Sequence, residues 1–242
     1  MKASPEHQQQ LLRLQDADSA LLRIEHAIAA LPELKAIEGL LGQADLLRHN
    51  HAEVIGRVED AEAGIARLES DLKIVTQRRE RDVERLQASS SPKDIDALEN
   101  ELAALHRRAD DLETAELEAM GRLEDAKTDA AKIVETQDQV RGQLATVMAE
   151  RDSKLSALEA DRGAKQGERN AIAEGIPHEL IELYEKQRSR YGVGAAAVLG
   201  GVNRGSNLQL APGDLAAVRS AAEDDVIVDS ESGAILIRSE NS

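Results

Sequence analysis

The 242-residue chain contains no cysteine, no tryptophan and no phenylalanine, and only two tyrosines, Tyr184 and Tyr191. Without cysteine there is no disulfide framework, no thiolate nucleophile and no thiolate ligand for zinc. Aromatic side chains supply much of the buried area of an ordinary core, so their scarcity argues against a large globular core. Proline stands at only five positions, which leaves long helices open to the chain. No apolar run approaches the ~20 residues of a membrane span. The opening Met1-Lys2-Ala3-Ser4-Pro5-Glu6-His7 lacks the basic and then apolar segments of a secretory signal, so the expected location is the cytoplasm.

Basic charge is also short. Lys and Arg number 30 against 46 Asp and Glu, a formal net charge of −16. The segment from residue 177 onward (6 basic, 10 acidic) and the remainder (24 basic, 36 acidic) are both acidic. Duplex-binding proteins carry a basic face that releases counterions from phosphates, so nucleic-acid binding is disfavoured. Attraction to an anionic membrane surface is disfavoured for the same reason. The acidity serves solubility, and a basic protein surface is the partner it suits best.

What is present is a narrow apolar seam with a period of about 3.5 residues, the signature of helices supercoiled on one another. It reads Ile37, Leu40, Ala44, Leu47, Val54, Val58, Ala61, Ile65, Leu68, Leu72, Val75. The same beat resumes at Ile95, Leu98, Leu102, Leu105, Ala109, Leu112, Ala119, Leu123, Ala126, Ala130, Ile133, Val140, Leu144, Val147. Between the two runs stands Ser89-Ser90-Ser91-Pro92. Two arms of similar length around one breaker predict an antiparallel hairpin. Ser4-Pro5-Glu6 starts the first helix, Pro32 kinks or briefly breaks it, and Ser91 caps the second arm with Pro92 in its first turn and Asp94 as a capping-box partner. Gly175-Ile176-Pro177 ends that arm.

Polar residues interrupt the seam at His51, Arg79, Glu116, Gln137 and Arg151, where a buried polar group fixes register. His49 and His51 lie two apart and point to different helix faces, so they do not form a metal pair. Near the turn, Arg78, Arg79, Arg81 and Arg85 form a candidate contact for an acidic partner. The acids interleaved with them favour the plainer reading of a solvated face.

After Pro177 the pattern changes. Residues 178–190 read as a short amphipathic helix, 208–210, 226–228 and 235–237 as strands, and 212–219 as two helical turns. The expected fold is mainly α: a long antiparallel coiled-coil helical hairpin over residues 1–176, with a turn near 88–93 and a kink near 32, followed by a small α+β module over 177–242. Modules of this size usually need a staple. Asn203-Arg204-Gly205-Ser206 and Asp229-Ser230-Glu231-Ser232-Gly233 are tight turns whose positions 203, 206, 229 and 232 carry the spacing of a Cys-x2-Cys, x22, Cys-x2-Cys zinc ribbon.

Several stretches extend this likeness: Leu31-Pro32-Glu33, Ser91-Pro92-Lys93-Asp94-Ile95-Asp96-Ala97-Leu98, Ile176-Pro177 through Tyr184-Glu185, Tyr191-Gly192-Val193-Gly194-Ala195-Ala196, Asn207-Leu208-Gln209-Leu210 and Gly233-Ala234-Ile235-Leu236-Ile237-Arg238. In their order and spacing the chain resembles the bacterial, actinobacterial-type coiled-coil hairpin proteins with a C-terminal C4-type zinc ribbon. The resemblance implies four zinc ligands, but their positions hold Asn203, Ser206, Asp229 and Ser232. Neutral serine and asparagine are poor zinc ligands and the tail beyond His178 has no histidine, so the expectation is a degenerate, zinc-free ribbon with no cofactor. Its turns would be kept by Gly205, Gly233 and side-chain hydrogen bonds. The minor alternative is a hard ion at Asp229, Asn203 and Asp224 or Asp225.

The resemblance further implies an adaptor or chaperone-like factor that binds protein partners, including transcription and export components. The expected function is therefore a non-enzymatic protein-protein interaction factor, a coiled-coil arm with a metal-free head. The candidate contacts are Arg78, Arg79, Arg81, Arg85, Arg204 and Arg238, the partner is an unidentified protein, and the chain is a monomer or weak dimer. The alternatives are a nucleic-acid-associated factor using the ribbon and a self-associating coiled-coil scaffold. Catalysis finds no support: Gly192-Val193-Gly194 and Gly200-Gly201 lack the Lys-Ser/Thr of a phosphate-binding loop, and no His-Glu-x-x-His occurs.

Overall fold

The computed structural model describes residues 1–238. Five helices and five strands follow in the order α1 (Pro5–Ala29), α2 (Pro32–Ala88), α3 (Pro92–Glu174), α4 (His178–Tyr191), β1 (Ala195–Leu199), β2 (Val202–Asn203), β3 (Leu208–Gln209), α5 (Pro212–Ser220), β4 (Ile227–Val228) and β5 (Ile235–Arg238). This is the expected class, a long helical hairpin with a small strand-containing C-terminal module. Prolines set the helix starts. Pro5, Pro32, Pro92 and Pro212 are the first residues of their helices and Pro177 is the N-cap of α4. A proline fits there because its missing N–H is one that the first turn leaves unpaired anyway. The Ser4 hydroxyl accepts from the His7 N–H at 3.2 Å. The kink or short break expected near residue 32 is a break at Ala30–Leu31 between two helices. At the hairpin turn Ser91 holds the start of α3 through its carbonyl, which accepts from the Asp94 and Ile95 N–H groups at 3.1 and 3.0 Å.

The chain forms two compact units, one of Met1–Leu34 with the residues from Glu150 onward, the other of Lys35–Ala149. This division differs from the ranges 1–176 and 177–242 read from the sequence, because α1 and the end of α3 group with the strands.

Lys35–Ala149 is the hairpin proper. Every seam residue named above is buried or half-buried. The arms run antiparallel, with partners falling on one arm as they rise on the other. The Gln137 amide donates to the Leu47 carbonyl at 3.2 Å, Lys127 meets Glu62 at 3.0 Å, Arg57 meets Asp129 at 3.4 Å, and Arg78 pairs with Glu101. The ion pairs are exposed and contribute little stability, so the apolar seam holds the arms and the polar contacts set their register. Among the described residues no helix is long and apolar enough to cross a membrane.

In the other unit the strands form one sheet of order β3-β2-β1-β5-β4. β1 and β5 are parallel, with Ala195 opposite Ile235 and Val198 opposite Arg238, and the remaining pairs are antiparallel. Both faces are covered. Ala195, Ile235 and Ile237 pack with Leu11, Leu14, Leu180 and Tyr184 from α1 and α4. Val198 and Leu236 pack with Leu210 and with Val218 of α5. Burial on both faces is why Ile235-Leu236-Ile237 is an unbroken apolar run. The first residues join this sheet region: the Ala3 N–H donates to the Asp224 carbonyl at 2.8 Å, the Val226 N–H donates to the Met1 carbonyl at 3.2 Å, and Lys2 meets Asp224 at 2.9 Å.

Candidate functional site: two turns and a hairpin tip

The turns that carry positions 203–206 and 229–232 meet through their side chains. Asn203, only 1% exposed, donates from Nδ2 to Asp229 Oδ2 at 2.8 Å and to Ser232 Oγ at 3.0 Å. Its Oδ1 accepts from the backbone N–H groups of Gly205 at 2.8 Å and Ser206 at 3.3 Å. Ser232 donates to Asp229 Oδ2 at 2.6 Å and accepts from the Ala234 N–H. Asp229 Oδ1 takes the Glu231 N–H at 3.3 Å. The Ser206 hydroxyl stays outside this exchange and accepts from the Leu208 N–H at 3.4 Å. Gly233 has φ +72°, and a Cβ there would lie 2.3 Å from the Tyr191 ring, so the second turn requires glycine for conformation and for space. Burial works to raise the Asp229 carboxyl, but the hydrogen bonds from Ser232, Asn203 and the local backbone outweigh it and hold it below its usual range.

These residues do not fit zinc. Of the four positions only Asp229 is an anion, and Asn203 presents N–H groups, not lone pairs, to the others. Among the described residues no group of three or more His, Cys, Asp or Glu is placed to hold a metal ion. Asp224 and Asp225, the other acids of the hard-ion reading, both lie against Lys2.

At the tip the arginines divide. Arg78 pairs with Glu101 and lies 3.9 Å from Asp82, and Arg85 meets Asp82 at 3.1 Å. Arg81 donates to the Gln77 carbonyl of its own helix at 3.2 Å. Arg79 is exposed and, among the described residues, has no ion-pair partner. The inward position belongs to Asp82, whose side chain is 5% exposed and whose Oδ2 accepts no hydrogen bond. The expectation of Arg79 as the seam-interrupting residue is thus corrected. The same seven-residue beat also reaches position 82, where a short carboxylate cannot leave the seam as a long arginine can. Replacing Asp82 by Leu should stabilise the hairpin by about 1–2 kcal/mol, because a desolvated, incompletely bonded carboxylate costs more than an apolar isostere. Thermal unfolding followed by circular dichroism reads this, and a lowered midpoint would show that Asp82 is a net stabiliser through its arginines.

The two C-terminal arginines also differ. Arg204 is exposed and has no ion-pair partner among the described residues. Arg238, expected as a partner contact, is committed internally: its guanidinium donates to the carbonyls of Ala221, Ala222 and Asp225 at 2.8, 2.7 and 2.9 Å.

A third cluster had no sequence signal. The Tyr184 hydroxyl donates to Asp18 Oδ2 at 2.7 Å, Arg169 donates to Asp18 Oδ1 at 2.8 Å and pairs with Glu185, and Arg188 meets Glu185 at 2.9 Å. Burial first, and then the Asp18 hydrogen bond, push the Tyr184 phenol far above its ordinary range. Its members come from α1, α3 and α4, so only the folded chain assembles it.

Comparison with known proteins agrees with this architecture. The family described as CT398-like coiled coil hairpin domain matches residues 14–192. Uncharacterized protein Rv2229c of Mycobacterium tuberculosis is 30% identical over 241 residues, covering 99% of this chain and 98% of its own length. A solved structure from Mycobacterium smegmatis is 32% identical with a TM-score of 0.87, over 98% of this chain and 100% of that one. CT398 from Chlamydia trachomatis shares the fold at 15% identity and a TM-score of 0.74, over 97% and 98% of the two chains.

Proposed function

Since the chain belongs to the CT398-like coiled-coil hairpin family, we propose that this bacterial hairpin protein is a non-enzymatic, adaptor- or chaperone-like interaction factor that binds a protein partner. That family is a coiled-coil hairpin family and not a known enzyme family. The observation that carries the reading is how the ionisable groups are used. In the clusters at Asp82, Asp18 and Asp229, the acids are bonded to neighbouring bases, hydroxyls and amides, and the groove that Asp18, Arg169, Glu185 and Arg188 line is open to solvent, unlike an enclosed catalytic pocket. Two regions offer surface to a partner. The β2–β3 turn presents exposed Arg204 beside Leu208, which is 59% exposed. The tip presents Arg79 and Arg81. The turn, with a cation and an apolar side chain together, is the better contact.

Truncation at Pro177 is a poor test, because it strips the sheet from Leu11 and Leu14 of α1. Full-length charge variants are better: Arg204→Glu with Leu208→Glu, and separately Arg79→Glu with Arg81→Glu, each in a cross-linking pull-down run with and without nuclease. The expected result is one discrete protein captured by the parent chain and the tip variant and lost with the turn variant. Equal capture by all three, or none by the parent chain, sinks the reading. Capture that nuclease abolishes replaces it with a nucleic-acid role.

A further inference from the structure

We propose that the two turns at residues 203–206 and 229–232 are fastened by a hydrogen-bond staple centred on the Asp229 carboxylate, standing where a four-thiolate zinc would stand, so that this unit folds without metal and without thiol chemistry. Three features of the geometry carry it.

The first is completeness. Asn203 has two donors and two acceptor sites, and all four are used: Asp229 and Ser232 on one side, Gly205 and Ser206 on the other. Ser232 likewise donates once and accepts twice. A buried polar group fully bonded is the arrangement in which its desolvation is offset.

The second is orientation. Two backbone N–H groups from its own turn fix the Asn203 oxygen, which forces the amide N–H groups toward Asp229 and Ser232. A cation placed among these side chains would face those hydrogens, and turning the amide round would forfeit both turn bonds. The cluster is therefore neutralised from within and closed to an ion. The charged groups around it do not change this. Glu231 contributes its backbone N–H to Asp229, Asp214 of α5 is bonded to Ser230, and Arg204 makes no ion pair with the cluster among the described residues.

The third is connection. The Asn203 bonds to Asp229 and Ser232 join residues 26 and 29 positions apart, across two separate hairpins of the sheet, which a local turn bond cannot do. The Tyr191 ring against Gly233 then covers the second turn. A thiolate-zinc centre couples folding to metal supply and to the thiol redox state. This staple removes both dependences, and the inference holds whether or not the proposed partner-binding role does.

The test uses the full, untagged chain. Both tyrosines lie in the unit that contains the staple, so tyrosine fluorescence follows its unfolding selectively. The expected result is no stoichiometric zinc by elemental mass spectrometry and an unfolding midpoint unmoved by a strong chelator or by added zinc. Bound zinc at one per chain, or a midpoint that falls with chelator, overturns the proposal. Asn203→Ala and Asp229→Ala should each lower the midpoint by about 4–8 °C. The double variant should cost clearly less than the two shifts added, whereas strict additivity would mean the groups do not act together. Should the alanine variants fail to fold, Asp229→Asn serves instead: it keeps the shape and removes the charge, and an unchanged midpoint counts against a carboxylate-centred staple. Finally, the fourfold variant Asn203→Cys, Ser206→Cys, Asp229→Cys, Ser232→Cys should take up one zinc and gain chelator sensitivity. Failure to bind zinc would show that the staple does not occupy the place of a metal.

Discussion

Val140→Asp is expected to melt the hairpin far below the parent temperature. Val140 is 3% exposed and sits in the α3 seam. Its i±3 and i±4 neighbours are Thr136, Gln137, Gln143 and Leu144, none of them a cation. An aspartate there is too short to reach solvent and meets no neutralising charge on its own helix, so the cost is about 3–5 kcal/mol. Helicity at 222 nm during thermal unfolding measures it. Leu117→Asp is the matched control, because Leu117 is 70% exposed and its replacement should shift the midpoint little. A Val140→Asp melt close to that of Leu117→Asp would mean that the seam does not hold the arms together.

The contrast between these two apolar positions is also the reason so much of the hairpin could be read in advance. A seven-residue beat assigns inward and outward residues without knowledge of anything distant, and breakers mark the ends. Pro5, Pro32, Pro92 and Pro212 each open a helix, while Gly192, with φ +83°, closes α4. β1 was different. Ala195-Ala196-Ala197 has the composition of a helix, yet Ala195 and Ala196 lie buried in a parallel pairing with β5 some forty residues on. Tertiary context overrides propensity there, and small side chains are what the crowded site beside Gly194 accepts.

The same limit explains α1. Its Leu14, Ala17 and Leu21 continue the hairpin beat, so nothing local reveals that Leu11 and Leu14 face the sheet. The bond from Asp18 to Tyr184 spans 166 residues and leaves no periodic trace. In the candidate site, spacing located the two turns, but the bonding partner of each polar atom depends on how the sheet brings residues 203 and 229 together. Charge alone also misled at Arg238, whose guanidinium is spent on carbonyls that only the folded loop presents.

The second large effect concerns Tyr184, which is fully buried at the meeting of α1, α4 and β1. In a chain almost without aromatics this ring is the largest single block of its core, and Tyr184→Ala should cost about 3–5 kcal/mol in urea unfolding. Tyr184→Phe keeps the ring and removes the hydroxyl's contacts with Asp18 at 2.7 Å and Gln15 at 3.3 Å; Asp18 retains Arg169 at 2.8 Å and Gln15 retains the Gly194 N–H at 2.7 Å, so about 1–2 kcal/mol is expected. Space can be probed from the opposite side. A Cβ on Gly194 would stand 2.4 Å from the ring, closer than real contacts allow, and the buried ring has nowhere to withdraw. Gly194→Ala should therefore destabilise strongly alone, and less than additively when combined with Tyr184→Leu, which frees that space. If Tyr184→Phe proves as costly as Tyr184→Ala, the hydroxyl and its charged neighbours, not the packing of the ring, hold α1 and α4 to the sheet.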